Sequence, residues 1–402
     1  MPPDAREGVA GEFGVYVHIP FCAHRCDYCA FATWSDKFDL AESYVDACVA
    51  DIGRARAAGL SRAATTVYVG GGTPSLLPRG TLTRLLDAID TVPGAEVTIE
   101  ANPESTTRAF LTAARRAGAT RISLGVQSLV PHVLADLGRH HRAGSVARAV
   151  ALIGDVGFET FNVDVVYGSV AESDDDLATT LTGLLDLEPS PPHVSAYALT
   201  VEAGTPLARD ERRHPDDDVE AERYVLVDVT LGAAGLSWYE ISNWSRPGHE
   251  CRHNVACWRG ANYLGFGCAA HSHLDGRRFH NVGSPERYIQ RVASGVSPIA
   301  AGEHLDDVAR QLESLQLALR TRDGVAESAL PADPALTGLV ERRAGRAVLT
   351  RRGRLLANEV AIRLRPPAAG NAAAVVAPVA GILPHVLLAD DMRGYELHGQ
   401  VL

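Results

Sequence analysis

Short apolar runs alternate with longer amphipathic segments through the first half of the chain. Six runs rich in β-branched residues indicate strands, at 15–19, 65–70, 96–101, 120–126, 161–168 and 193–199. Helical periodicity marks the segments at 38–58, 79–91, 105–117, 131–154 and 174–187. Ser105 and Ser173 precede two of these segments and are predicted to start their helices. Strands that alternate with helices predict a parallel sheet with right-handed crossovers.

Six strand–helix units are too few for a closed eight-stranded barrel, which leaves a partial barrel or an open doubly wound sheet. We predict an α/β fold, a partial (βα)6 TIM-like barrel with a C-terminal helical, winged-helix-like domain. The predicted organisation is a flexible N-terminus at 1–12, the barrel at 13–235 with a last helix at 217–234, a linking region at 236–300, the C-terminal domain at 301–366 and an Ala-rich tail at 367–402. Within the C-terminal domain, the pattern predicts helix, turn, helix, a hairpin around 343–345 and a final helix.

The chemically unusual residues follow the predicted strands at their carboxyl ends. A cysteine loop follows the first strand, GGGTP (70–74) follows the second, and Glu100 and Asn102 end the third. Gln127 follows the fourth strand and Asp164 lies in the fifth. Because ligands of parallel α/β folds bind at the carboxyl ends of the strands, we expect these residues to form one site.

Composition narrows the class of protein. The 402 residues carry a net charge of −11, which argues against a dedicated nucleic-acid binder because phosphate contacts need a basic face. Seven cysteines without framework spacing, and no signal peptide, predict a reducing, cytoplasmic location. The uncharged run at 372–389 is interrupted by proline and glycine, so no transmembrane anchor is expected.

The segment HIPFCAHRCDYCAF (18–31) places Cys22, Cys26 and Cys29 within eight positions. A zinc ribbon would need a second pair of cysteines, and a redox-active CxxC would leave Cys22 unexplained. Three thiolates on one loop suit three irons of a cubane [4Fe-4S] cluster, whose fourth iron then has an open coordination position. An open position is what a catalytic metal centre requires.

The CxxxCxxC spacing after a first strand, with Tyr28 before the last cysteine, resembles the radical S-adenosylmethionine (SAM) superfamily. The motifs YVHIPFC, GGGTPSLL, EANPES, RISLGVQSL, LGRHHRAG, VDVVYG and YLGFGCAAHS follow in order. They resemble the subgroup that contains oxygen-independent coproporphyrinogen III oxidase and the HemW haem chaperone family, over about residues 13–366. The resemblance implies a [4Fe-4S] cluster on the three cysteines and SAM on its open iron.

The same resemblance implies which residues contact SAM. The positions that match are Tyr16, Tyr28, Gly71, Gly72, Thr73, Glu100, Gln127, Arg139 and Asp164. Glycines let backbone N–H groups approach a carboxylate, and the two acids suit a cationic amino group or ribose hydroxyls. Gln127 and Arg139 supply donors for the carboxylate end of SAM. For single residues the alternatives are an ordinary strand–turn–helix connection for the glycines and a solvated helix end for Arg139.

Two features favour the haem chaperones over the oxidase. The oxidase has a further cysteine two residues after the third, where this chain has Phe31. RHNVACW (252–258) matches a chaperone motif whose histidine, here His253, is implicated in haem binding, although Cys257 replaces its tyrosine. The resemblance therefore implies haem as cargo, an apo-haemoprotein acceptor that can be membrane-associated, and a homodimer. The alternative function is that of a radical enzyme of the coproporphyrinogen III oxidase type.

Other interpretations of the C-terminal half stay open at this point. The 252–258 segment can be a packed loop, or part of a second metal site drawn from Cys251, His253, Cys257, Cys268, His271 and His273. Cys48 lies in a helical pattern and suits a buried apolar position. A winged helix with Arg342, Arg343, Arg346, Arg351, Arg352 and Arg354 can bind DNA, but such charge runs are more often solvated faces.

Overall fold

Six parallel strands form the centre of the large sheet in the computed structural model, which describes residues 11–366. They are β1 (Phe13–Ile19), β2 (Ala64–Gly71), β3 (Thr91–Ala101), β4 (Arg121–Gln127), β5 (Thr160–Tyr167) and β6 (His193–Ala198). The connecting helices are α1 (Ala41–Ala57), α2 (Thr81–Asp87), α3 (Arg108–Arg116), α4 (Pro131–Asp136), α5 (Ala143–Val156) and α6 (Asp174–Leu185). Helix α7 (Asp217–Ala233) follows β6. The predicted α/β fold is confirmed.

The order of these strands distinguishes the two architectures left open by the sequence. The strands lie side by side in the order β1 to β6, with no reversal of the kind that defines a doubly wound sheet. In the described residues β1 and β6 do not pair with each other, because each has another neighbour. The arrangement is that of a partial barrel.

Residues 236–300 add strands to both edges of this sheet. The segment contains β7 (Ser237–Glu240), β8 (Asn243–Ser245), α8 (Arg252–Trp258), β9 (Asn262–Phe266), β10 (His271–Leu274), β11 (Arg277–Asn281) and α9 (Pro285–Ala293), and β12 (Ile299–His304) follows. Strand β8 pairs with β6, whereas β9 runs parallel to β1 and begins the antiparallel β10–β12 extension. Between the two edges, α8 packs against β1 and β2. Twelve strands of the described chain thus form one sheet.

The C-terminal residues form a smaller unit with its own apolar core. It contains α10 (Asp307–Leu319), β13 (Val325–Ala326), β14 (Val340–Arg343), β15 (Arg346–Leu349), α11 (Arg351–Leu355) and α12 (Ala357–Ala361). The hairpin predicted around 343–345 is present between β14 and β15. The predicted second helix is wrong: two 3-10 turns, at Glu327–Ala329 and Pro334–Leu336, take its place. The predicted tail at 367–402 and most of the predicted N-terminus lie outside the described residues.

Two other local predictions were also wrong. Thr107, not Ser105, caps α3, because the Ser105 hydroxyl donates to the Asn102 carbonyl while Thr107 accepts the N–H of Phe110. The helix predicted at 131–154 is divided into α4 and α5, with Gly138 in a left-handed conformation between them. The cap at Ser173 is confirmed as a capping box with Asp176.

In residues 11–366 no helix is long and apolar enough to cross a membrane.

Candidate functional site

The cysteine loop runs from the end of β1 over the carboxyl edge of the sheet. Cys22, Cys26 and Cys29 are half-buried, and no disulfide joins any of them. The Thr73 hydroxyl lies 3.7 Å from Cys22 Sγ, and Arg139 Nη1 lies 3.5 Å from Cys26 Sγ. Burial raises the pKa of the Cys22 thiol and raises that of Cys29 to about 12. Both thiols are therefore protonated at neutral pH unless a metal displaces the proton.

The donor set fits an iron–sulfur cluster better than a single metal ion. Among the residues that the structure describes, no three His, Cys, Asp or Glu side chains converge as ligands of one ion. A cubane cluster does not need that convergence, because each thiolate binds a different iron. Three soft thiolates on one loop, two of them facing a donor, match this requirement.

The glycine turn after β2 supports the cysteine loop. A Cβ at Gly72 would lie 2.7 Å from the carbonyl oxygens of Ile19 and Phe21, so only glycine fits. The N–H of Gly72 donates to Ile19 and that of Thr73 to Phe21, at 2.7 and 2.8 Å. Protein carbonyls accept from both of these N–H groups in this conformation.

Glu100 lies at the end of β3, beside this turn. Its Oε1 accepts from the Tyr68 hydroxyl and its Oε2 from the Gly71 N–H, both at 2.9 Å. Burial, with a smaller contribution from Asp164, raises the pKa of Glu100 to about 7. Burial likewise raises the pKa of Asp164 to about 6. Two acids that resist ionisation in the ligand-free site would be stabilised as carboxylates by a cationic ligand.

Arg139 and Asn102 join the strand ends to the cysteine loop. Arg139 Nη2 donates to Asn102 Oδ1 at 3.1 Å and to the Gly125 carbonyl at 2.6 Å. Asn102 Nδ2 donates in turn to the Thr73 hydroxyl at 3.0 Å. Arg139 is thus held by β3 and β4 while its other nitrogen faces Cys26.

The remaining predicted residues line the same edge. The Tyr16 hydroxyl lies 3.0 Å from His18 Nδ1, and the Tyr16 ring stacks on Tyr68. Tyr28 packs against an apolar cluster that includes Val133 and Leu137. Gln127 ends β4 in a left-handed conformation. Gly71, Glu100 and Gln127 thus lie at the carboxyl ends of their strands, whereas Tyr16 and Asp164 lie within β1 and β5.

His253 is far more enclosed than these residues. It is 0 % exposed on α8, its Nδ1 lies 2.9 Å from the Thr66 hydroxyl, and its N–H donates to Glu96 at 3.1 Å. Its ring lies 5.5 Å from that of Tyr68. Thr66 is near the amino end of β2, whereas the cysteine loop lies at the carboxyl ends of the strands. His253 is therefore separated from the cysteine loop along the strands, with Tyr68 between His253 and Glu100.

The second metal site suggested by the crowded histidines and cysteines does not form in the described chain. Cys251 lies 3.6 Å from Glu96 Oε1, whereas Cys268 contacts the Tyr44 hydroxyl near α1. Cys48 is completely buried in the main core, as its apolar setting predicted.

Three residues that contribute to the candidate site, Tyr68, Asp27 and Arg213, were not identified from the sequence. Tyr68 bridges Glu100 and His253, and its period-two spacing from Thr66 and Gly70 placed it on their face of β2. Asp27 and Arg213 form an ion pair that ties the cysteine loop to the segment before α7. The position of Asp27 between two cysteines was the available signal, but Arg213 carried none.

Comparisons with known proteins show what the chain and its fold are similar to. The Radical SAM superfamily model matches residues 16–182. Haem chaperone HemW of Mycobacterium tuberculosis (strain H37Rv) is 44% identical over 367 residues, 87% of this chain and 93% of the relative. Haem chaperone HemW of Synechocystis is 36% identical, covering 79% and 80% of the two chains. The structure of coproporphyrinogen III oxidase (HemN) from Escherichia coli aligns with a TM-score of 0.76 at 22% identity, over 87% of this chain and 89% of that one.

Proposed function

The chain belongs to the HemW haem chaperone family of the radical SAM superfamily, and from this membership we propose that it binds haem and delivers it to apo-haemoproteins. The observation that carries the proposal is the 44% identity to a haem chaperone over nearly the full length of both chains. The oxidase structure from Escherichia coli is only 22% identical, so its likeness supports the fold and not its reaction.

Cys22, Cys26 and Cys29 would hold a [4Fe-4S] cluster, with SAM on the open iron. Bound together, the two groups supply one-electron chemistry. Arg139 Nη1, 3.5 Å from Cys26 Sγ, places positive charge beside this expected iron ligand. Thr73 directs its hydroxyl at Cys22, while the turn at Gly72 fixes the start of the loop.

The surrounding residues would orient SAM at the carboxyl edge of the sheet. Glu100 and Asp164 would accept hydrogen bonds from its amino group and ribose hydroxyls. Gln127 would donate to its carboxylate. Tyr16 and Tyr28 would line the site with aromatic surface, and Gly71 keeps Glu100 in place through its N–H.

Phe31 favours cargo binding over porphyrin decarboxylation. It occupies the position of the fourth cysteine of the oxidase and packs against Tyr16 and Ala270. A phenyl ring offers no iron ligand here, but it offers apolar surface beside the cofactor site.

The wider setting belongs to the same proposal. We place the protein in the cytoplasm, as a homodimer that passes haem to an apo-haemoprotein, including a membrane-associated one. Four of the six C-terminal arginines make contacts within the protein rather than forming a basic wing, namely Arg342, Arg346, Arg351 and Arg354. Nucleic acid is not among the proposed partners.

An anaerobic assay with coproporphyrinogen III, SAM and reductant tests the proposal against the enzymatic alternative. The cluster-reconstituted protein is expected to release no CO2 from the porphyrinogen and to bind haemin saturably in a parallel titration. Release of CO2 with formation of 5′-deoxyadenosine, together with no change in the Soret band of added haemin, would establish the oxidase-type activity instead.

A further inference from the structure

The enclosed position of His253 leaves open which side chain a haem iron meets first. The ring is completely buried, with Nδ1 directed at Thr66 and one side close to Tyr68. A porphyrin is a broad rigid plane, so an axial histidine needs a ring nitrogen at a surface that this plane can approach. In this conformation α8 would have to leave β1 and β2 before His253 met that condition.

Two other histidines lie where a porphyrin can approach them, on the antiparallel β10–β12 extension of the sheet. His271 on β10 and His280 on β11 are directly opposite each other in the antiparallel ladder. Their rings stack with centroids 5.2 Å apart and planes 25° apart. His271 is exposed and His280 half-buried, so this pair is accessible from solvent.

The hydrogen bond of His280 determines its tautomer. Nδ1 lies 3.1 Å from the Asn281 carbonyl oxygen, and a carbonyl can only accept, so Nδ1 carries the proton. Nε2 of the neutral ring then presents its lone pair. A backbone carbonyl that holds Nδ1–H in this way is the usual support of a metal-binding histidine.

The pair adjoins the proposed cofactor site. Ala270, immediately before His271, packs against Tyr16 together with Phe31 and Tyr68. Gly265 lies opposite Tyr16 on the intervening strand, and a Cβ there would clash with the His271 carbonyl. The missing side chain at Gly265 allows β10 to run close to the site, where Phe31 provides apolar surface for a porphyrin face.

We propose that His280, supported by His271, is an axial ligand for haem iron at a site on β10 and β11 beside Phe31. The inference rests on the proposed function, since it locates the cargo of that function. The neutral imidazole donates its Nε2 lone pair to ferric haem and displaces an exchangeable water, with no change in oxidation state.

Anaerobic haemin titrations of the cluster-reconstituted protein test the site. We expect saturable binding to the wild type, about tenfold weaker binding to His280→Ala, and a smaller loss for His271→Ala. His304→Ala is the matched control, because His304 is an exposed histidine on neighbouring β12. Electron paramagnetic resonance should show a change in ferric spin state in His280→Ala, reversed by added imidazole. Thermal melts of each variant verify folding, and His280→Gln provides a second substitution.

The outcomes distinguish a failure of the proposed His280 site from a failure of the proposed haem chaperone function. If the wild type binds haemin while His280→Ala and His280→Gln bind it equally well with unchanged spin state, the site at His280 is wrong. Loss of iron ligation in His253→Ala alone would instead indicate that α8 moves to expose His253. If the wild type itself shows no saturable Soret change, the proposed haem chaperone function fails and this site fails with it.

Discussion

Glu100 is the residue whose ionisation the fold controls most directly in the candidate site. Tyr68 and Gly71 donate to its two oxygens, yet burial and Asp164 still raise its pKa to about 7. A raised carboxyl pKa costs stability as pH rises, so the ligand-free protein loses this contribution to stability as pH rises through about 7. A bound cation reverses the preference, because it favours the carboxylate.

SAM binding should therefore depend on pH. We expect the affinity of the cluster-reconstituted protein to be weaker at pH 6 than at pH 8 by about tenfold, because the bound amino group requires ionised Glu100. Isothermal titration calorimetry at several pH values measures this. Glu100→Gln should bind weakly with a flatter profile, while exposed Glu159→Gln should behave as the wild type. Equal slopes in Glu100→Gln and the wild type would contradict the assignment.

At the same scale, sequence patterns identified candidate site residues but did not predict the contacts that these residues make. Cys22, Cys26 and Cys29 follow from spacing alone, because the chemistry requires three thiols on one loop. The hydrogen bonds of Gly72 and the bridge from Glu100 through Tyr68 to His253 depend on strand register, which spacing does not specify. The pairing of His271 with His280 depends on strand register in the same way.

At the scale of elements, the segment between β6 and α7 ties down the cysteine loop. Arg213 donates from Nη1 to Asp27 Oδ2 at 2.9 Å and from Nε to Asp136 Oδ1 at 3.1 Å. The Leu207 N–H donates to the Asp27 carbonyl at 3.0 Å. Because Asp27 lies between Cys26 and Cys29, these contacts restrain two of the three expected iron ligands.

Removing this restraint should loosen the cluster. Arg213→Ala is expected to lose iron to a chelator several-fold faster than the wild type, and Arg213→Lys to fall between them, because lysine retains charge without the fork of donors. Loss of the cluster absorption under anaerobic chelation measures the rate. Arg212→Ala is the matched control, since the Arg212 side chain is 88% exposed. The restraint is absent if Arg213→Ala and Arg212→Ala lose iron equally fast.

Helices and strands were predicted correctly where the local sequence determines them. The predictions failed where contacts between residues distant in the chain determine the structure. The six parallel strands and the cap at Ser173 follow from patterns within the chain. The division between α4 and α5 occurs where Gly138 meets Asp27, a contact between the fourth connection and the cysteine loop. The sequence of residues 236–300 did not predict that their strands would join opposite edges of one sheet. Which edge a strand joins depends on the path of the chain in three dimensions.

At the scale of the whole molecule, Asp228 fixes the C-terminal unit to the barrel. Arg354 makes two hydrogen bonds to its carboxylate, at 2.9 and 2.8 Å, and Trp244 Nε1 donates to it at 2.9 Å. Burial opposes ionisation of Asp228, but hydrogen bonds from Arg354, Trp244 and Arg351 outweigh it and lower the pKa. Arg354 also lies over the Trp238 ring, 4.4 Å from its centroid.

Breaking this contact should destabilise the protein strongly. Asp228→Ala leaves buried Arg354 without its carboxylate, which typically costs about 3–5 kcal/mol. Asp307→Ala, which removes an exposed ion pair with Arg310, should cost less than about 1 kcal/mol. Urea unfolding followed by tryptophan fluorescence compares the two variants. Similar losses in both would show that the two units do not depend on Asp228.

Haem delivery dependent on the cluster is the central claim, and the rate of haem transfer tests it most directly. Labelled haem would be loaded onto the reconstituted wild type and onto Cys22→Ala, and transfer to the apo-haemoproteins of a haem-depleted cell extract would be followed with SAM and reductant present. The account predicts that the wild type transfers haem faster than free haemin does, while Cys22→Ala binds haem but gives no acceleration. Equal rates for the wild type, Cys22→Ala and free haemin would contradict it.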